Sequence, residues 1–242
     1  MLQVPEMLRA SGCEKITFVG GEPTLCKDLP KLLRIAKDVG LTTMIVTNGT
    51  TLRDGFLAQN HHNIDWVSLS VDSQFEDVEH ALGRGNGHHV DQTIRNVQDV
   101  HDHGLRLKLN SVVTKLNYAE DMTEFILSLE PQRWKVFQVL RIIGENDGSV
   151  DPLLITAEEF SLFKQLNEGI ISKGINAVFE DTQAMTGSYV MMDPMGRFFD
   201  NVNGRYHYSR SISEVGVEEA FRQVRWDAGK FVRRNGLYDW EG

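Results

Sequence analysis

Cysteine is nearly absent from this chain. Cys13 and Cys26 are its two cysteines, too few for a disulfide framework, and isolated cysteines of this kind usually serve as small buried hydrophobes. Positive charge is also short: 25 Lys and Arg against 34 Asp and Glu leave a formal net charge of −9. That balance argues against broad adhesion to nucleic acid or to an anionic membrane, so an anionic ligand must be met by cations concentrated in one place. No apolar run approaches the roughly 20 residues of a membrane span. The opening MLQVPEMLRASG lacks a basic region followed by a long apolar one, and a cytoplasmic protein is the expectation. There is no internal repeat and no low-complexity linker.

What remains is an ordinary globular composition, 41% hydrophobic and 24% charged over 242 residues, enough for one sizeable core with additions. Short β-branched and apolar runs recur at 15–19, 42–47, 66–71, 106–113 and 133–140. Between them stand helical stripes: Leu29, Leu32, Leu33 and Ala36; Ile94, Val97 and Val100; Met122, Phe125, Ile126 and Leu129. Gly12, Gly40 and Gly104 fall where a helix should stop before a strand. Strands separated by helices run parallel, which predicts an α/β fold, an open doubly wound sheet or a full or partial barrel. After Val150 the pattern loosens. Thr156 with Glu159 reads as a capping box opening a helix over 157–173 closed by Gly174, and SYVMMDPMGRFFDN reads as two short strands around a turn at 193–196. A barrel core over 1–185 and a C-terminal extension over 186–242 covering it are the expected units.

The strands carry an anomaly. A strand buried on both faces should be apolar throughout, yet one alternate set is polar: Lys15 and Thr17; Ser68, Ser70 and Asp72; Lys108 and Asn110; Arg133 and Lys135. The intervening set, including Ile16, Phe18, Val67, Leu69, Leu107, Leu109, Trp134 and Val136, is apolar. One face therefore packs under helices, and the other is expected to be wet and cationic, a lumen that binds a ligand. An antiparallel sheet with one solvated face would give the same alternation, but the connections leave room for whole helices. The first strand run ends in ITFVGGEPTL. Glycines at the carboxyl end of a parallel strand let backbone approach a ligand; as a bare tetrapeptide, GGEP is equally a tight turn.

These segments resemble the viperin family of radical S-adenosylmethionine (SAM) enzymes: in order, EKITFVGGEP, TNGT, LSVDS, LGRGNGHH, LKLNSVV, DMTEFI, RWKVFQVL, GEN and VGVEEA. The similarity covers almost the whole chain, and RWKVFQ, LNSVV and GRG are more specific than GGEP. The resemblance implies a partial (β/α)6 radical SAM barrel. It implies that Gly20, Gly21, Glu22 and Pro23 hold the ammonium of SAM, Glu22 among them, with Ser70, Arg84 and Asn110 lining the same site and Arg84 near the SAM carboxylate. It implies that Lys15, Lys108, Arg133 and Lys135 hold a nucleoside triphosphate, and that Tyr238 lies near the substrate; a packed aromatic is the other reading of Tyr238. The implied activity is that of a lyase: a 5′-deoxyadenosyl radical takes the ribose 4′ hydrogen of CTP, UTP or GTP, and loss of the 3′ hydroxyl gives a 3′-deoxy-3′,4′-didehydro nucleotide, an antiviral chain terminator. An electron donor protein is the implied partner.

The family also uses a [4Fe-4S] cluster on three cysteines spaced CxxxCxxC after the first strand. The sequence contains no such motif, and Val19 stands where viperins often carry serine. The expectation is that the first strand and its cysteine loop are missing and that the chain is a fragment. The alternatives are a cluster-less binding protein that keeps the SAM or nucleotide pocket, or a radical SAM enzyme acting on a peptide. No metal site is expected from the histidines at 61, 62, 88, 89, 101 and 103.

Overall fold

The computed structural model describes residues 2–52 and 55–240. Six strands, β1 (Lys15–Phe18), β2 (Thr42–Thr47), β3 (Trp66–Ser70), β4 (Arg106–Val113), β5 (Arg133–Gln138) and β6 (Asn176–Glu180), form one sheet in sequential order. Every neighbouring pair is parallel, as the helical connections require. The first five strands lie where the sequence predicts them. The sixth falls in the stretch after Val150, where NAVFE offers too short an apolar run to announce a strand.

Each connecting helix follows from its own residues. In Leu29–Asp38 the whole expected stripe is buried, Pro30 stands in the first turn and Lys37 in the last. The capping box of Thr156 and Glu159 is formed in full; helix Ala157–Asn167 passes into a 3-10 segment, Glu168–Lys173, that ends on Gly174 at φ 98°. The stripe of His89–Asp102 is offset from the expected one: Val90, Thr93, Val97 and Val100 are buried, whereas Ile94 is 46% exposed. Ile94 lies on the flank of that stripe, and an apolar residue there is left in solvent.

The outward face of the sheet and the helices over it form one core that includes Ile45, Val67, Leu69, Leu107, Leu109, Trp134 and Val136. Trp134 is fully buried, and its indole N–H donates to Ser111 Oγ at 2.9 Å, which removes the cost of an unpaired buried donor. Beyond helix Thr182–Met185, a small antiparallel sheet is made of β7 (Met191–Met192), β8 (Arg197–Asp200) and β9 (His207–Ser211). β7 and β8 are the two expected strands; β9 was not evident in the sequence. A second apolar cluster of Phe198, Ile212 and Ala220 takes Val4, Met7 and Leu8 of the first helix against it. After helix Ala228–Arg233 the tail turns back onto the inner face of the six-stranded sheet.

Candidate active site

The register of the sheet brings the polar set together. Ser68 pairs with Lys108 and Lys108 with Arg133; two residues on, Ser70 pairs with Asn110 and Asn110 with Lys135. Residues directly opposite on neighbouring strands share a face, so one face carries Lys15, Lys108, Arg133 and Lys135 as anticipated. It is not wet. Lys108, Arg133 and Lys135 are 7%, 2% and 6% exposed, because the C-terminal tail lies over them. Arg133 Nη2 donates to the Asn235 carbonyl at 2.7 Å, and its guanidinium lies 4.0 Å from the Tyr238 ring centre. Lys15 Nζ donates to Tyr238 Oη. Trp66 Nε1 and Arg106 both donate to the Trp240 carbonyl. Nothing in the periodicity of the strands could signal that a segment some hundred residues later would cover them.

The electrostatics of this face follow from crowding like charges in a dry place. Burial, with Arg133 and Lys135 nearby, brings Lys15 down to about 7. Burial brings Lys135 down to about 8 although Glu180 opposes the change, and burial with three neighbouring cations pushes Lys108 well below its ordinary value. Three residues that sequence reasoning missed complete the set. Glu180, fully buried at the end of β6, accepts from Lys135 Nζ at 2.7 Å and from Arg234 Nη1 at 3.1 Å. Tyr189 donates to Glu180 and accepts from Lys135 at 2.7 Å, and Arg234 lies 3.8 Å over its ring. Burial and Glu180 push the Tyr189 phenol far above its ordinary value, so it keeps its proton at neutral pH. Arg133 Nη1, Arg234 Nε, Ser68 Oγ and Asn110 Oδ1 are buried without a hydrogen-bond partner. Unpaired buried polar atoms cost free energy, and four in one region describe a place with polar capacity to spare.

At the carboxyl ends of the strands, the GGEP turn leaves β1 with Gly20 at φ 92° and Gly21 at φ 51°. No atom stands within 4 Å of where a Cβ would be at either glycine, so their peptide groups are open to a ligand. Glu22 is engaged with the protein itself. Its Oε1 accepts from the Thr24 N–H at 3.1 Å and Thr47 Oγ1 at 2.7 Å, and Oε2 from the Asn48 N–H at 2.8 Å; the carboxylate ties the turn to the end of β2. Pro23 is buried and opens the 3-10 turn Pro23–Leu25. Ser70, the last residue of β3, pairs with Asn110 inside β4. Arg84 is held there by Asp72, Nε to Oδ2 at 2.5 Å.

The histidines do other work. His89 is buried with Nε2 2.9 Å from the Ser70 carbonyl, and His61 packs its ring against His62 and His103. Among the described residues, no group of three or more His, Cys, Asp or Glu is arranged to hold a metal ion. Cys13 is half-buried and bonded to the Lys15 carbonyl, and Cys26 is exposed; two thiols do not fit the three-thiolate requirement of a [4Fe-4S] cluster. Cavities lie among the described residues at two other places, the larger of them beside the tail contact of Arg106 and Trp240. One, of about 410 Å³, is lined by Lys37, Asp65, Arg106 and Trp240; the other, of about 300 Å³, by Phe75, Leu116 and Tyr118.

Comparison with known proteins agrees with this geometry. Solved structures share the fold: anSMEcpe with bound AdoMet superposes with a TM-score of 0.69 at 15% identity, over 96% of this chain and 72% of that one. Streptococcus suis SuiB bound to S-adenosylmethionine gives 0.60 at 18% identity, over 74% and 42%. Proteins named S-adenosylmethionine-dependent nucleotide dehydratase are similar along the sequence. That of Flammeovirga pacifica is 45% identical over 99% of this chain and 82% of its own length. That of Lacinutrix mariniflava is 43% identical over 99% of this chain and 50% of its own length, and that of Oncorhynchus mykiss 36% over 97% and 70%. Residues 2–129 match the Radical SAM superfamily, and with these relatives the chain belongs to that superfamily as a member of its viperin-like nucleotide dehydratases.

Proposed function

We propose that the chain binds SAM at the carboxyl ends of β1, β3 and β4 and a nucleoside triphosphate on the inner cationic face, and that it serves the conversion of CTP, UTP or GTP to the 3′-deoxy-3′,4′-didehydro analogue, an antiviral chain terminator. The observation that carries this reading is the cationic cluster. Lys108, Arg133, Lys135 and Arg234 gather around the buried carboxylate of Glu180, with Lys15 on the same face, inside a protein of net charge −9. A polyanion is the ligand class that such an excess suits, since each cation contributes charge-assisted bonds in a partly dry cavity and the guanidiniums engage two oxygens at once. The names of the relatives favour a nucleotide over a peptide.

The residues present fit SAM. The open peptide groups of Gly20 and Gly21 face an ammonium, Arg84 a carboxylate, and the unpaired Asn110 Oδ1 and Ser70 the rest of the molecule. Bound there, SAM supplies the adenosyl group from which the family's hydrogen abstraction begins. The two cysteines of this chain do not provide the three thiolate ligands of an iron-sulfur cluster. The protein's own part is positional and protic. The cations hold the triphosphate, the tail residues Tyr238 and Trp240 exclude water beneath it, and a phenol that keeps its proton, Tyr189 or Tyr238, stands by for the departing 3′ hydroxyl.

Calorimetry with CTP, UTP, GTP and the matching nucleosides tests the reading. Triphosphates should bind and nucleosides should not. Failure of every triphosphate to bind overturns it and moves a peptide substrate ahead.

A further inference from the structure

Behind Arg84 lies a closed set of ionisable groups. Asp72 follows β3, Glu79 belongs to helix Glu76–Ala81, and His89 opens the next helix. Asp72 is satisfied twice: Oδ2 takes Arg84 Nε, and Oδ1 accepts the Val112 N–H at 2.8 Å. Glu79 is fully buried. Its Oε1 accepts the backbone N–H groups of Asp72 at 2.6 Å and Ser73 at 2.8 Å, whereas Oε2 has no hydrogen-bond partner. The nearest nitrogen atoms of basic side chains to Oε2 are Arg84 Nε at 3.7 Å and His89 Nε2 at 3.9 Å. Burial pushes His89 below its ordinary value, so the imidazole is neutral and bonded to the Ser70 carbonyl. Glu76, which accepts the N–H groups of His89 and Asp91, and Glu120, which accepts from Ser73 and Gln74, are the other charged groups around the cluster. One guanidinium thus faces two buried carboxylates, and the protein's bonds to it run through Nε.

Resting on the reading that Arg84 meets the carboxylate of SAM, we infer that Glu79 is a positioning residue for Arg84 whose free oxygen Oε2 takes up a proton when that carboxylate arrives. With Asp72 it holds the guanidinium from the Nε side and leaves the Nη edge for the ligand. A third carboxylate then shares the one cation, and the negative charge in this dry cluster must fall. Asp72 has both oxygens engaged, so the proton, taken from solvent, goes to the unpaired oxygen of Glu79. Burial and Asp72 already raise Glu79 to about 7, within reach of such a change. Ligand binding that draws in a proton weakens as pH rises. A change of one pKa unit corresponds to about tenfold in affinity, so SAM should bind roughly three- to tenfold more weakly at pH 8 than at pH 6 through this group.

Two measurements on the full chain test this. In the ligand-free protein, a carboxyl carbon of ¹³C-labelled glutamate should titrate near neutrality, vanish in Glu79→Gln, and shift to higher pH in Arg84→Ala, where the carboxylate loses its cation. A Glu79 signal titrating in the ordinary carboxylate range overturns the inference without involving SAM. Calorimetry of SAM binding in two buffers of different ionisation heat should then show proton uptake in the wild type and markedly less in Glu79→Gln. The titration of SAM's own ammonium is common to both proteins and cancels in the comparison. Equal uptake in both removes Glu79 from the role while leaving the SAM site intact. Unchanged SAM affinity in Arg84→Ala, or no SAM binding at all, instead removes the site on which the inference stands.

Discussion

Replacing Lys135 by methionine keeps the length of the side chain and removes its charge. In the structure that ammonium is 6% exposed and makes two contacts of 2.7 Å, to Glu180 Oε1 and to Tyr189 Oη. A hydrogen bond to a charged group contributes about 1.5 to 3 kcal/mol, so triphosphate affinity should fall roughly tenfold to hundredfold. Glu180 keeps Arg234 and Tyr189 as partners, and a desolvated charge is lost, so the melting temperature should move by only a few degrees. Adding Glu180→Gln to this variant removes a carboxylate that repels the ligand and should restore about tenfold. In the wild-type background the same change gains less, because Glu180 also favours the charged form of Lys135. The non-additivity of this double-mutant cycle, read by calorimetry with CTP, is the signature of the pair. SAM affinity should stay within about twofold throughout. A Lys135→Met protein that binds every triphosphate as the wild type does would refute the placement of the polyanion on this face.

The lowered lysines make two pH predictions of opposite sense. Triphosphate binding should weaken between pH 7 and 9 as Lys15 and Lys135, at about 7 and about 8, lose protons that the ligand needs. Folding stability of the free protein, measured by urea denaturation, should rise over the same range, since the unfolded lysines still bind protons that the folded ones have released; a flat or falling profile contradicts the buried cations. Trp134→Ala, which empties a fully buried site and leaves Ser111 Oγ with only its bond to the Val71 carbonyl, should cost about 3 to 5 kcal/mol, seen as a lower urea midpoint. Gly49→Ala should be destabilising as well, because its Cβ would stand 2.1 Å from Asn96 Nδ2 at φ 80°. A melting temperature equal to the wild type would show that the Asn96 contact to the Gly49 carbonyl is dispensable.

The strands were legible because β-branched runs and their alternation are local properties. Lys108 and Arg133 could be placed on one face from parity alone, and the register bears this out. Strand periodicity carries no sign of their burial, which depends on Asn235, Tyr238 and Trp240 returning from the far end of the chain; an extension over 186–242 that covers the barrel, with Tyr238 near the substrate, is expected from the resemblance instead. Glu180 and Tyr189 escaped for a related reason. NAVFE is too short to announce a strand, and a tyrosine between TGS and VMM carries no sign that its hydroxyl meets a lysine on a distant strand. The bonds Glu22 makes within the protein could not be read, because a motif names residue types and not which way a carboxylate turns; Thr47 and Asn48, in TNGT, supply two of its donors.

The contact between Lys15 and Tyr238 spans 223 positions. During synthesis, β1 through β5 emerge and can pair before the segment that roofs their charged face exists, so the nascent sheet holds crowded cations with nothing opposite them. Like charges pressed together without counter-ions oppose compaction, and contacts so distant in sequence form late. A polyanion present at that stage could stand in for the missing roof. The same geometry bears on handling: Trp66 and Arg106 grip the Trp240 carbonyl, so a load placed on the tail there would pull directly on the cover of the charged face.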